Sequence, residues 1–179
     1  TDERRRFAQV SHEYLIEQVQ FQSFSSTKTM ELNFNHPVKE LIWTSSKNVS
    51  TGPISTFVDA HGNESLSIEV QISRTSNREP APLTGNFQLK LNGHDRFKER
   101  DAKYFTRTQV WEHHTGYGST VQPDAIAVYS FALKPEEHQP SGTCNFSRID
   151  NAQLTSTISG GFNVYAVNYN VLRIMSGMG

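Results

Sequence analysis

One stretch decides the fold: V-Y-S-F-A-L-K-P-E-E-H-Q-P-S-G-T-C-N-F-S-R-I-D-N, residues 128–151. Residues 128–133 alternate with a period of two and carry apolar side chains at both parities, which indicates a strand covered on both faces. Pro135, Pro140 and Gly142 then exclude a continuous helix or a central strand. Because the alternation resumes at 144–149, the stretch predicts a strand, an ordered corner and a second strand.

Four large side chains of this stretch are expected in the core or at its margin: Phe131, Leu133, Phe146 and Ile149. Cys144 is the single cysteine of the chain, so an internal disulfide is excluded. We expect it to be a small buried hydrophobe.

Similar alternation recurs along the rest of the chain. Further strands are predicted at 14–24, 28–34, 38–44, 66–72, 87–91, 154–159 and 162–175. Strand 14–24 is expected to be half-buried, with Leu15, Glu17, Val19 and Phe21 at one parity and glutamines dominating the other. About eight strands, with no amphipathic helix longer than two turns, predict an antiparallel sandwich. Periodicity alone leaves a jelly roll and an immunoglobulin-like sandwich both open.

The Asn92-Gly93 pair has the composition of a tight hairpin turn. A hairpin would require a strand directly after it, whereas residues 94–105 are too charged for a sheet interior. A short helix or an ordered loop is therefore predicted at 94–105, running into an aromatic segment that ends at Trp111.

Length and charge bound the class of protein. A chain of 179 residues corresponds to one ordinary domain. With 17 basic and 18 acidic residues the formal charge is −1, which disfavours direct binding to nucleic acid over a broad face. No apolar run approaches the roughly 20 residues of a membrane-spanning helix, so no membrane insertion is expected.

Several residues with catalytic or metal-binding side chains occur in unfavourable patterns. Glu136, Glu137 and His138 are adjacent after a proline, and neighbours on a strand point to opposite faces. The His113-His114 pair lacks the i, i+4 spacing with which two histidines share an ion. No nucleophile turn surrounds Ser141, so it forms no triad with His138 and Asp150. We therefore predict no enzymatic activity and no bound metal or cofactor.

Three asparagines lie in glycosylation sequons. Asn48 and Asn63 fall in predicted surface loops and are candidate sites. Asn145 falls where strand pairing should resume, and a glycan there would collide with the sheet.

The 128–151 stretch resembles a signature near the carboxyl end of the major capsid proteins of nucleocytoplasmic large DNA viruses. Further similarity lies in E-Y-L-I-E-Q-V-Q-F (13–21), V-K-E-L-I-W (38–43), L-N-G-H-D-R-F (91–97) and V-L-R-I-M-S-G-M (171–178). In that family the signature shapes the fold and the subunit contacts. The matching positions here are Phe131, Leu133, Pro135, Glu136, Glu137, His138, Pro140, Gly142, Cys144, Phe146, Arg148 and Asp150.

The resemblance implies an all-β fold: an antiparallel eight-stranded jelly-roll sandwich with long loops and at most short helices. It assigns residues 13–179 to the carboxyl-terminal of two jelly rolls, with 1–12 as a linker or lead-in and the amino-terminal jelly roll upstream of Thr1. The implied function is a building block of an icosahedral capsid shell in the virion. Expected partners are two further copies in a homotrimeric pseudo-hexagonal capsomer, neighbouring capsomers and minor capsid proteins, above an internal membrane.

A carbohydrate-binding module is the alternative from another functional class. Lectin domains share the jelly-roll architecture, and exposed Trp43, Trp111 or Tyr117 could stack on sugars.

Overall fold

The computed structural model describes residues 2–46, 57–58, 64–65, 82–116 and 124–176. Helix α1 spans Asp2–Gln9. It is followed by seven described strands: β1 (His12–Glu31), β2 (Pro37–Ser45), β3 (Phe57–Val58), β4 (Glu64–Ser65), β5 (Asn86–Leu91), β6 (His94–Asp95) and β7 (Arg100–Asp101). A π-helical turn (Tyr104–Thr108), helix α2 (Gln109–His113), β8 (Ile126–Ser130), β9 (Cys144–Asn145), a 3₁₀ turn (Phe146–Arg148) and β10 (Ala152–Ile174) follow. The prediction of an all-β fold with short helices is confirmed.

Strand β10 is the centre of an antiparallel sheet that contains eight of the described strands. Along one edge it pairs with β1, from His12 opposite Ile174 to Glu31 opposite Gln153. Along the other edge it pairs first with β5 and then, beyond Phe162, with β2. Strand β8 and the short β9 extend the sheet beyond β2, while β6 and β7 extend it beyond β5.

The sheet curls on itself because β2 and β5 occupy different ends of the same edge of β10. Strand β1 carries register shifts between Phe24 and Thr29, at the level where the partner strand passes through Gly160 and Gly161. The Trp43 ring on β2 lies 5.5 Å from the Phe87 ring on β5, which places the two parts of the sheet face to face. The fold is therefore a sandwich formed largely by one curled sheet.

Aromatic side chains fill the centre of this sandwich. Trp43, Phe87 and Phe105 are fully buried, and the Phe105 ring lies 5.1 Å from that of Trp43. Phe105 comes from the π-helical turn, so the helical segment contributes directly to the core. Phe162 packs edge-on against Phe87 at 5.7 Å and joins β10 to the same cluster. Because Trp43 is inaccessible, it cannot serve as a sugar-stacking residue.

The prediction that Asn92-Gly93 does not close a hairpin is wrong. Leu91 pairs with His94, and both turn residues have positive φ (50° and 78°), as a two-residue hairpin turn requires. The resuming strand, β6, is two residues long and exposed, so it tolerates the charged composition that argued against it. The predicted short helix begins later, after β7.

Four other strand boundaries differ from the prediction, the first being that the strands predicted at 14–24 and 28–34 form the single strand β1. Strand β8 ends at Ser130, and Leu133 lies beyond it with 74% of its surface exposed, so its assignment to the core is wrong. The second strand of the corner contains two residues and continues as a 3₁₀ turn. The predicted strands 154–159 and 162–175 form a single 23-residue strand.

The burial of β1 is the reverse of what its apolar pattern suggests. Leu15, Val19 and Phe21 are exposed, while Gln20 and Gln22 are half-buried on the inner side. These glutamines hydrogen-bond the irregular backbone that follows β1. Gln20 Nε2 donates to the Asn35 carbonyl and Gln20 Oε1 accepts from the Asn35 amide, while Gln22 Oε1 accepts from the Asn33 amide. Backbone groups outside the ladder need such partners when they are covered.

Some predictions fall outside the described residues. These are the strand at 66–72, the turn at 61–63, the glycosylation candidates Asn48 and Asn63, and the sugar-stacking candidate Tyr117. The described residues on either side of 59–63 are strands β3 and β4, in which Phe57 pairs with Ser65. In the part of the chain that the structure covers, no helix is long and apolar enough to cross a bilayer.

Asp124 joins the helical segment to the start of β8. Its carboxylate accepts hydrogen bonds from Arg107 Nε and Nη2 at 2.8 and 2.6 Å and from the Thr106 hydroxyl at 2.6 Å. Its carbonyl accepts from the Leu83 amide at 2.8 Å. The Arg107 and Thr106 hydrogen bonds lower the pKa of Asp124 to about 2.

We expect Asp124→Asn to reduce the free energy of unfolding by roughly 1–2 kcal/mol at neutral pH, because charge-assisted hydrogen bonds are lost. The pKa of Asp124 is lower in the folded state than in the unfolded chain. This stabilisation is therefore fully present above the ordinary aspartate pKa of about 3.9, and it is lost as the pH falls toward the folded-state pKa of about 2. Chemical denaturation at several pH values measures the difference. Asp95→Asn is the matched control, because Asp95 is exposed and 3.9 Å from Lys90. A difference that persists undiminished at low pH would contradict the assignment.

Candidate functional site: the corner at 131–150 and its charged neighbours

The corner begins where β2 contains a β-bulge. Glu40 pairs with Val167 and Val38 with Asn168, so Lys39 is an extra residue in β2. The Lys39 carbonyl accepts hydrogen bonds from the amides of both Phe131 and Ala132, at 2.9 and 3.2 Å. The bulge therefore supports the backbone at the point where β8 ends.

Ser141 and Gly142 close the corner. The Lys134 amide donates to Ser141 Oγ at 2.9 Å. Gly142 has φ +146°, and a Cβ at this position would lie 2.7 Å from the Phe131 carbonyl oxygen. Any side chain here would force the two backbones apart, which explains why the motif has glycine at this position.

The apolar residues of the corner pack toward the core. Phe146 is buried, and its ring lies 6.0 Å from that of half-buried Phe131 and 6.3 Å from that of Phe34. Pro135 is fully buried. Ile149 is half-buried against the same cluster. The core predictions for Phe131, Phe146 and Ile149 are confirmed.

Side-chain amides hold the far side of the corner. Asn145 Oδ1 accepts from the Ser147 amide at 3.1 Å and so caps the 3₁₀ turn. The Ser147 hydroxyl accepts from the His36 amide at 2.8 Å. Asn92 Oδ1 accepts from the amides of Asp150 and Asn151. Because Asn145 makes a local bond and pairs with Pro37, its sequon lies in folded backbone.

Glu136 connects the corner to the end of α2. Its carboxylate accepts from the Thr115 hydroxyl at 2.7 Å, from the Thr115 amide at 3.1 and 3.2 Å, and lies 3.1 Å from His114 Nδ1. The hydrogen bonds from Thr115 hold the pKa of Glu136 below its usual value. Helix α2 is in turn fixed to β8, because Gln109 Oε1 accepts from the buried Ser130 amide at 3.2 Å.

Glu40 lies on the other side of the His114 ring. His114 Nε2 is 3.0 Å from Glu40 Oε2, and neither atom has a hydrogen-bond partner elsewhere among the described residues. Glu40 is 7% exposed, and its burial raises the pKa of the carboxyl above the ordinary glutamate value. Together, Glu40, His114 and Glu136 form a cluster that we call the histidine bracket.

A second ion pair adjoins the histidine bracket. Lys39 Nζ lies 2.7 Å from Glu17 Oε1 and 5.4 Å from the centre of the Tyr169 ring, and the Lys39 side chain is 4% exposed. His138, which is largely exposed, approaches the same Glu17 oxygen at 3.7 Å. The corner thus covers a polar centre on the outer face of β2.

The remaining motif residues lie at the surface. Glu137 is exposed and pairs with Lys134 at 3.0 Å. Exposed positions also include Leu133, Pro140, Arg148 and Asp150. Cys144 is half-buried, which raises the pKa of its thiol. The structure does not bring Ser141, His138 and Asp150 together, since His138 faces Glu17 while the Asp150 amide bonds Asn92.

An uncovered apolar surface lies beside this polar centre. It consists of Leu15, Val19 and Phe21 on β1 and their register partners Val171, Val167 and Tyr165 on β10. Val19, Phe21 and Val171 are more than half exposed. We call this surface the outer strip. An exposed apolar surface of this kind often marks an interaction site.

The sequence analysis missed the histidine bracket and the Lys39–Glu17 pair. Lys39 and Glu40 are adjacent charges within an otherwise apolar strand, and this was the available signal of a bulge or a buried ion pair. The involvement of His114 could not be predicted, because it depends on how α2 packs against β8. Within the described ranges, no group of three or more histidine, cysteine or acidic side chains is arranged to hold a metal ion.

Comparisons with known proteins match nearly the whole chain. The model of the family described as large eukaryotic DNA virus major capsid protein matches residues 3–179. The major capsid protein of Pyramimonas orientalis virus is 45% identical over an alignment that covers 100% of this chain and 45% of that protein. The major capsid protein of Paramecium bursaria Chlorella virus 1 is 37% identical, covering 100% of this chain and 50% of its own length. The chain thus spans about half the length of these relatives.

Solved structures support the same fold. A chain in the quasi-atomic model of the PBCV-1 virus capsid superposes with a TM-score of 0.72 at 34% identity, covering 99% of this chain and 53% of the other. The Faustovirus major capsid protein shares the fold with a TM-score of 0.52 at 12% identity. The jelly-roll prediction is confirmed.

We expect Phe131→Ala to lower the free energy of unfolding by about 3 kcal/mol, at the lower end of the usual range for phenylalanine because the ring is half-buried. Leu133→Ala is the matched control, and it should change stability by no more than about 0.5 kcal/mol because the side chain is exposed. Chemical denaturation of both variants measures the difference. Equal effects would place the two side chains in similar surroundings and contradict this structure.

Proposed function

The chain belongs to the large eukaryotic DNA virus major capsid protein family, and from this membership we propose that it is a structural part of a viral icosahedral shell. Its role is to form contacts with other subunits, not to catalyse a reaction. It acts in the virion, in the capsid layer.

The architecture suits that role. Three strands at the margins of the described sheet, β6, β7 and β9, are two residues long, whereas β1 and β8, which also pair with a single neighbour each, have 20 and 5 residues. Short edge strands limit uncontrolled pairing between copies. At the margins formed by β6, β7 and β9, we propose that contacts between subunits are made by side chains and loops, which can be specific.

The outer strip supports one contact in particular. We propose that it packs against a second jelly roll of the same polypeptide, because the relatives are about twice as long as this chain. Its apolar side chains would be covered there, and the Lys39–Glu17 pair would lie at the edge of the contact. Interfaces between domains of one chain typically bury roughly 600–1,500 Å².

The complete protein is proposed to be a homotrimer that contributes six jelly rolls to a pseudo-hexagonal capsomer. Neighbouring capsomers and minor capsid proteins are its further partners. No direct contact with nucleic acid is proposed, since the formal charge of the chain is −1. We propose that an internal membrane lies beneath the shell and that this domain does not insert into it.

We expect the full-length polypeptide to form a discrete trimer, and residues 1–179 alone to associate without a defined size because the outer strip is uncovered. Val19→Lys in the full-length polypeptide should weaken the trimer, because a charge in the apolar contact between the two jelly rolls disturbs the protomer from which the trimer is built. Light scattering coupled to size-exclusion chromatography measures all of these.

The matched control is Gln18→Lys, which adds the same charge at the adjacent position on the opposite face of β1. It should leave the trimer intact. A full-length polypeptide that stays monomeric at high concentration would refute the capsid proposal. A normal trimer with Val19→Lys would refute only the role of the outer strip.

A further inference from the structure

The histidine bracket fixes where the protons of the His114 ring lie. Glu136 receives three hydrogen-bond contacts from Thr115, and these hold its pKa below the usual range, so its carboxylate is ionised at neutral pH. The ring nitrogen that faces it, His114 Nδ1, lies 3.1 Å away and must therefore be a donor. In a neutral imidazole with Nδ1 protonated, Nε2 carries only a lone pair.

That lone pair would point toward Glu40 Oε2, which is 3.0 Å away. Two acceptors at this distance repel each other, and both atoms are buried and without another hydrogen-bond partner among the described residues. A proton between them removes the repulsion, whether it resides on the ring or on the carboxyl group.

We propose that the contact between His114 Nε2 and Glu40 Oε2 holds one exchangeable proton. This proton keeps His114 and Thr115, the segment that directly follows α2, bound to the sheet, and we call the arrangement the latch. The latch joins three elements: β2 through Glu40, the end of α2 through His114, and the corner through Glu136. Loss of the proton leaves two acceptors opposed in a buried site and releases His114 and Thr115.

Among the residues that the structure describes, no other charged group beside the histidine bracket replaces this proton. Lys39 is a cation that acts on Glu40, but its Nζ lies 2.7 Å from Glu17 Oε1. His138 also faces Glu17, at 3.7 Å. On α2, His113 lies 4.0 Å from Glu112, and its Nδ1 contacts the Leu133 carbonyl at 3.0 Å. Each of these groups therefore already has a partner of its own.

The sign of the pH dependence follows from Glu40. Burial raises its pKa in the folded protein, although His114 and Lys39 oppose the shift. The folded state thus keeps the proton at a pH where the unfolded chain has lost it. The stabilisation is complete below the ordinary glutamate range and is lost as pH rises through the raised value.

Hydrogen exchange at the Thr115 amide tests the latch, because this amide donates to Glu136 and should exchange when the segment opens. In the full-length polypeptide, protection corrected for intrinsic rates should fall roughly tenfold per pH unit once the proton is lost, in the pH window above the ordinary glutamate range. In Glu40→Gln, the side-chain amide can donate to Nε2 without an added proton. Protection should then change by no more than about twofold over the same window.

His138→Gln is the matched control, since it removes a neighbouring histidine that contacts Glu17 and not Glu40. It should keep the wild-type pH dependence. The Ala166 amide, in the centre of β10, serves as the reference for global opening. Equal pH dependence in the wild type and Glu40→Gln would overturn the proposal, and so would a parallel loss of protection at Ala166. Because these outcomes depend only on the histidine bracket, they are independent of the capsid role.

Discussion

The double pairing of β10 is the constraint on which the rest of the structure depends. This 23-residue strand is hydrogen-bonded to β1 along one edge, and to β5 and then β2 along the other. Because a one-residue slip would exchange the faces of every side chain, the register of β10 determines which residues enter the core. It places Leu154, Val164 and Ala166 inside and leaves Val167 and Val171 for the outer side.

The end of β2 approaches β10 closely at Gly161. A side chain there would collide with Ser46, whose amide donates to the Gly161 carbonyl at 2.9 Å. From Phe162 onward β2 pairs with β10, and the β-bulge at Lys39 then positions the corner. Lys39 and Glu40 are both almost fully buried as a consequence, and a buried charge without a partner costs several kcal/mol. Glu17 and the histidine bracket supply those partners, which explains why residues distant in sequence meet here.

Much of this architecture could be predicted from periodicity, but the local exceptions could not. Alternation in β2, β5, β8 and β10 identified the strands, and Pro135 and Gly142 identified the corner. The hairpin at Asn92 was missed because a two-residue exposed strand leaves no period to detect. Leu133 continues the apolar pattern of β8 although the strand has already ended, so pattern alone assigned it to the core. The histidine bracket depends on packing between elements that no local pattern encodes.

The outer strip shows a further limit of period-two patterns. An apolar row on a strand indicates that one face is covered, but it does not say by what. In β1 the inward face is lined by Gln20 and Gln22, because the backbone at Asn33 and Asn35 needs hydrogen-bond partners there. Leu15, Val19 and Phe21 are not part of the core formed by the described residues. The proposed second jelly roll accounts for their apolar character, because these side chains would be buried in the contact between the two jelly rolls.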